Sequence, residues 1–182
     1  MQRNAPTEVE PKNRLLLFVT LGLLTLSGCG KTDSRVVKLF GGEATIAALQ
    51  TATTVEALRI DPKKYDEDKL TDGTKGIAGY AITDRPVKLS PEQIKSLAAI
   101  LANPGTYSFD SSKGCKFDPG IALRTLAGQQ EVVVLLCFSC DELAIFVQGK
   151  RVGSEDTDNA RGKLLALARQ LFPQDEAIQA LK

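Results

Sequence analysis

Residues 120–140, GIALRTLAGQQEVVVLLCFSC, decide how this chain folds. Two apolar runs, 120–126 and 131–138, flank Ala127-Gly128-Gln129-Gln130, and Gly128 supplies the positive φ that a two-residue hairpin turn needs at its first central position. With Gly128 and Gln129 central, opposite residue numbers sum to 257, which sets Phe117 across from Cys140 and Cys115 across from Glu142. Asp118-Pro119-Gly120 interrupts regular pairing, because proline cannot donate to a ladder. Cys115 is nevertheless expected within a few residues of Cys140, so three thiols, Cys115, Cys137 and Cys140, converge on one end of a sheet.

Working outward, residues 142–152, ELAIFVQGKRV, read as a third strand of an antiparallel meander. Downstream, Asp158 is expected to cap a helix whose Leu164, Leu165, Leu167, Ala168, Leu171 and Phe172 form a wide apolar stripe before Pro173. Upstream, Ser90-Pro91-Glu92-Gln93 is a helix start: Ser90 at the N-cap, Pro91 at the first helical position, and Gln93 reaching back in a capping box. Leu89 and Ile94 are spaced for a hydrophobic staple, and Ile94, Leu97, Ala98 and Leu101 recur at helical spacing up to Asn103-Pro104-Gly105. GGEATIAALQ suggests a short helix after Gly41 and Gly42, and residues 53–60 a strand. Residues 61–74 read as an exposed, solvated loop, and 76–89 as one extended strand broken near Pro86. The fold class that follows is α+β, an antiparallel meander sheet with helices packed on one face.

The chain has 182 residues, 43% hydrophobic and 25% charged, which fits one globular domain with a sizeable core. Its first 28 residues have a different character. Arg3, Lys12 and Arg14 precede an uncharged run of thirteen residues, Leu15 to Ser27, shorter than the roughly 20 needed to span a bilayer as a helix. Leu26-Ser27-Gly28-Cys29 then resembles the lipobox of bacterial lipoproteins. The resemblance implies cleavage before Cys29 and a lipid on its sulfur. The organisation expected is a signal peptide over 1–28, a lipidated tether over 29–35 and a single domain over 36–182. Gly30, where an aspartate would retain an enteric lipoprotein in the inner membrane, favours an outer-membrane address in an organism that has one. The implied partner is therefore the membrane, through the N-terminal lipid. Past residue 28 the chain carries 20 basic and 20 acidic residues. This balance offers no footprint for nucleic acid and no polybasic attraction to lipid.

Three readings of the thiols follow. In an oxidising envelope, Cys115 pairs with Cys140 or Cys137 and leaves one buried free thiol, while Cys29 is occupied by lipid. Alternatively, Cys115, Cys137 and Cys140 ligate zinc, with Asp118, Asp141 or Asp110 as the fourth donor, although this is only half of a zinc knuckle. A dithiol redox pair is the third reading. C-x-x-C has the thioredoxin spacing, but it is followed here by Asp141-Glu142 and a strand rather than by a helix N-terminus that would lower a thiol pKa. The chain has no histidine, which removes Ser-His-Asp and Cys-His catalysis and histidine metal ligation. Dinucleotide, Walker and EF-hand patterns are absent.

Residues 114–126 and 131–146, with Cys115, Phe117, Pro119, Gly120, Cys137, Phe138 and Cys140, also resemble an uncharacterised family of secreted or lipid-anchored bacterial proteins. That resemblance implies no activity; it implies that the cysteines act together. The functional expectation is a lipid-anchored envelope protein that binds or supports a partner, rather than an enzyme, and that has no cofactor unless zinc. A binding module should offer an apolar or concave face without convergent titratable groups, whereas an enzyme should gather acids around the thiols.

Overall fold

A computed structural model describes residues 32–68, 70, 75–111, 113–127 and 130–182. The run expected to be a signal peptide, the lipobox-like stretch with Cys29, Gly30, and the expected Gly128-Gln129 turn centre lie outside the described residues. In chain order the elements are α1 (Ser34–Leu39), α2 (Glu43–Gln50), β1 (Val55–Tyr65), β2 (Gly76–Ile77), β3 (Tyr80–Ile82), β4 (Val87–Lys88) and α3 (Pro91–Ala102). They continue with β5 (Ile121–Ala127), β6 (Gln130–Cys137), β7 (Glu142–Val147), β8 (Lys150–Asp156), α4 (Arg161–Leu171) and α5 (Glu176–Gln179). The strands form one antiparallel sheet in the order β2-β3-β1-β5-β6-β7-β8, with β4 pairing the first part of β1. This is the α+β architecture expected, with β5 to β8 as its meander.

The β5–β6 register runs from Ile121 opposite Leu136 to Ala127 opposite Gln130, as the turn chemistry requires. α3 also starts as its sequence dictates: Ser90 Oγ accepts from the Gln93 amide at 3.3 Å, and Gln93 Oε1 accepts from the Ser90 amide at 2.9 Å. Leu89 and Ile94 are both buried in the same core.

Four segments differ from expectation, each for a local reason. Residues 142–152 are not one strand: Gln148 and Gly149 take φ of 50° and 74°, and the chain reverses into β8, with Val147 opposite Lys150. Positive φ at both central positions matches the right-handed twist of the flanking strands. Ala78 and Gly79 (φ 50° and 83°) reverse the chain in the same way, so the single strand expected over 76–89 is the β2–β3 hairpin followed by β4. That hairpin pairs with β1 and extends it through residues 61–65, which read alone as loop; the ladder shifts register between Asp61 and Tyr65. Finally, Asp33 to Arg35, expected in the tether, open α1, where the Asp33 carboxylate accepts from the Arg35 amide at 2.8 Å.

The sheet is apolar on both faces. Val132, Val134 and Leu136 of β6, with Ile121, Leu123, Leu143 and Ile145 beside them, meet Phe40, Ile46, Leu97, Leu101, Leu164, Leu171 and their helical neighbours in the main core. Val133 and Leu135 point the other way, into a smaller core with Leu58, Ile60, Ile77, Ala122 and Ala144. Tyr80, Ile82, Phe117 and Phe146 partly cover it. A run buried on both sides reads as continuous apolar sequence rather than as alternation, which is why residues 132–137 are VVVLLC.

Candidate functional site

The thiols gather at the sheet end where β6 stops, β7 starts and β8 stops. Cys137 occupies the last ladder position of β6, opposite Glu142. The chain then turns through residues 138–141, with Asp141 in the left-handed region at φ 52°, a conformation its short polar side chain tolerates. Arg161, at the start of α4, fixes both sides of this turn: its guanidinium donates to the Phe138 carbonyl at 2.7 Å and to the Asp141 carboxylate. The Asp141 carbonyl accepts from the amide and hydroxyl of Thr157, at 2.6 and 3.0 Å. The turn is thereby held by both β8's exit and α4.

Cys140, in this turn, is disulfide-bonded to Cys115, with Cα atoms 6.0 Å apart. The bond ties the sheet end to the non-repetitive segment that leads into β5. Lys113 reinforces it, donating to the Cys140 carbonyl at 2.8 Å and to Asp158 at 2.6 Å. Burial opposes charge on Lys113, but the Asp158 hydrogen bond and the negative field of Asp158, Asp156 and Asp141 hold its ammonium above the ordinary lysine range. Asp158 therefore serves Lys113 rather than capping α4. The residue at that cap is Ala160, and a 3-10 turn over residues 158–160 leads into the helix.

Cys137 is the one free cysteine among the described residues, and it is buried, as is Cys140, whereas Cys115 is exposed. The Asp118 amide donates to Cys137 Sγ at 3.3 Å, and the Ser139 hydroxyl lies 3.2 Å from the same sulfur. This is the pairing expected from the sequence, one disulfide and one buried thiol. Cys137 continues the face of Val133 and Leu135 and stays a buried thiol.

The zinc donors expected from sequence are distributed differently. Asp118 presents its amide to Cys137 and its carboxylate to Lys116 Nζ at 3.0 Å. Asp141 is taken by Arg161, and Asp110 sits on an exposed turn beside Arg35 and Phe109. Among the described residues, the one group of three potential ligand atoms within 4.8 Å of one another is Cys115, Cys140 and Glu142. Glu142 is the member that sequence reasoning passed over, although the hairpin register had set it across from Cys115. Burial pushes its carboxyl above the usual carboxylate range, with Asp156 and Glu155 adding repulsion and Arg151 opposing it.

Acids do surround the thiols, but they are engaged: Asp141 with Arg161, Asp158 with Lys113, Asp118 with Lys116, and buried Asp156 with the Ser111 hydroxyl at 2.6 Å. Such an arrangement fixes geometry. Elsewhere, the end of α2 and one side of α3 enclose an apolar groove of about 440 Å³, lined by Ala52, Ile94, Ala98 and Ala102, in which Lys95 is the one charged lining residue. Among the described residues no helix is long and apolar enough to cross a membrane. A disulfide persists in an oxidising compartment, so the fold belongs outside the cytoplasm. Comparison with protein-family models, with curated proteins and with solved structures gave no match.

Proposed function

We propose that this chain is a lipid-anchored protein of the bacterial cell envelope, tethered through Cys29, whose domain binds or supports a partner rather than catalysing a reaction. The carrying observation is the Cys115–Cys140 disulfide, which requires the same oxidising side of the membrane that the Leu26-Ser27-Gly28-Cys29 box implies independently. The charged groups at the thiol end are committed to one another, and the apolar groove beside α3 is a concave surface with little charge, which favours binding over chemistry. Two or more acyl chains on one residue give stable attachment where a single chain binds reversibly, so no spanning helix is needed. Gly30 after the box favours the outer membrane where the organism has one.

Metabolic labelling of the full chain with palmitate in a bacterial host tests the anchor. Wild type should label and sediment with membranes, and Cys29→Ala should do neither. Equal labelling and sedimentation of the two would overturn the reading.

The zinc alternative applies to the reduced protein, since disulfide sulfurs offer no thiolate. Cys115, Cys140 and Glu142 then provide three donors of the type zinc accepts. Its test is metal analysis of protein purified with zinc under reducing conditions; absence of bound zinc removes it.

A further inference from the structure

We infer that the disulfide has a second form, in which Cys137 displaces Cys115 from Cys140 and leaves Cys115 as a surface thiol. The inference rests on the Cys115–Cys140 bond and the position of Cys137, and not on the lipid anchor.

Three observations carry it. First, the free thiol belongs to the same C-x-x-C as the bonded Cys140, and both lie at the β6–β7 turn, with Cys137 opposite Glu142 in the ladder and Cys140 Sγ within 4.8 Å of the Glu142 carboxylate. Secondly, one short piece of backbone passes both sulfurs: the Lys116 carbonyl oxygen is 3.0 Å from Cys140 Sγ, and the Asp118 amide is 3.3 Å from Cys137 Sγ. Thirdly, burial divides the three unequally. Cys137 and Cys140 are 2% and 4% exposed, while Cys115 is open to solvent in a segment without regular structure. The attacking and central cysteines are thus shielded from external reagents, and the leaving cysteine is an exposed residue.

The step balances without an external oxidant or reductant. Cys137, as thiolate, attacks Cys140 Sγ; the Cys137–Cys140 bond forms as the Cys140–Cys115 bond breaks, and Cys115 departs as thiolate and takes up the proton that Cys137 released. One disulfide and one thiol are present before and after. Lys113 still holds the Cys140 carbonyl and Asp158, so the segment loosens without detaching. The second form offers a solvent-facing nucleophile whose chemical class of partner is a disulfide or another thiol-reactive electrophile.

Tryptic peptides separate the two forms. In the first, the tripeptide Gly114-Cys115-Lys116 is linked to the peptide 125–150; in the second, it is free, and 125–150 carries an internal Cys137–Cys140 link. The full chain would be held under native, non-reducing conditions with N-ethylmaleimide for increasing times, then denatured, digested and mapped by mass. Accumulation of maleimide-labelled tripeptide together with internally linked 125–150 in wild type, and its loss in Cys137→Ala and Cys137→Ser, is the expected result. Those variants should retain the Cys115–Cys140 link before labelling, which shows that lost labelling is not lost folding. In wild type the internally linked peptide is a readout that needs no variant. Absence of that peptide at every time, or labelling of Cys115 undiminished without Cys137, would overturn the inference.

Discussion

The two faces of the sheet are built from alternate residues of the same strands, yet they solve different problems. The helix face is one large aliphatic core closed by α1 to α5, in which Val36, Phe40, Leu143 and Ile145 have no exposed surface. The opposite face has a smaller core roofed by the β2–β3 hairpin, and it also carries Arg124 paired with Glu56 at 2.5 Å across β5 and β1. At its far end sits the Cys137 thiol. Burial supplies stability on the first face, while the second mixes burial with polar groups that fix position. Chemistry has collected on the face where packing is thinner.

Substitutions can break this contrast. Leu143→Ala, on the helix face, is expected to cost about 4 kcal/mol, and Leu135→Ala, on the other, about 2–3 kcal/mol, because a thinly roofed site collapses more readily around the lost volume. Urea unfolding of both variants measures the difference, and equal losses would mean that the smaller core is packed as rigidly as the larger. Removing the disulfide with Cys115→Ala and Cys140→Ala together should cost about 3.5 kcal/mol, from loop-closure entropy across a sequence separation of 25. Ser90→Ala removes one side of the α3 capping box and should cost about 1 kcal/mol.

The smallest effect concerns Glu142. Its carboxyl is held above its unfolded value, so the folded state is favoured by protonation, and that contribution is complete below the unfolded pKa of about 4.3 and lost as pH rises through the folded one. Glu142→Gln should therefore raise the urea midpoint slightly at pH 7 and leave it unchanged at pH 3. A lowered midpoint at pH 7 would mean that Arg151, whose Nη2 is 3.9 Å from Glu142 Oε1, outweighs burial.

Features set by neighbouring residues were legible in the sequence. The β5–β6 register followed from one glycine, the α3 start from four residues, and the meeting of Cys115 with Cys140 from the register alone. Features set by distant partners were not. Residues 61–65 become a strand because β3 lies beside them, and α1 forms where the sequence suggested a tether. The second face was hidden because a run buried on both sides has no period, and the β7–β8 reversal because Gln-Gly is a weaker turn signal than Asn-Gly or Asp-Gly. At the thiol end, Cys115, Cys137 and Cys140 were visible as types, whereas Lys113 and Arg161 became significant only once the fold brought them to the 138–141 turn.

One contact of α1 bears on a different property. β8 ends the sheet on that side, and such an edge presents unpaired backbone groups that invite another chain to add as a strand. α1 lies against it so closely that a Cβ at Gly153 would overlap the Leu39 carbonyl oxygen, and the exposed Lys150 and Arg151 place positive charge along the rim. The helix thus seats on the face of the last strand as well as closing the core, and Gly153 is the gap that lets it do so. A side chain there would push α1 off the sheet and uncover the core beneath it, right beside an edge where another chain could pair.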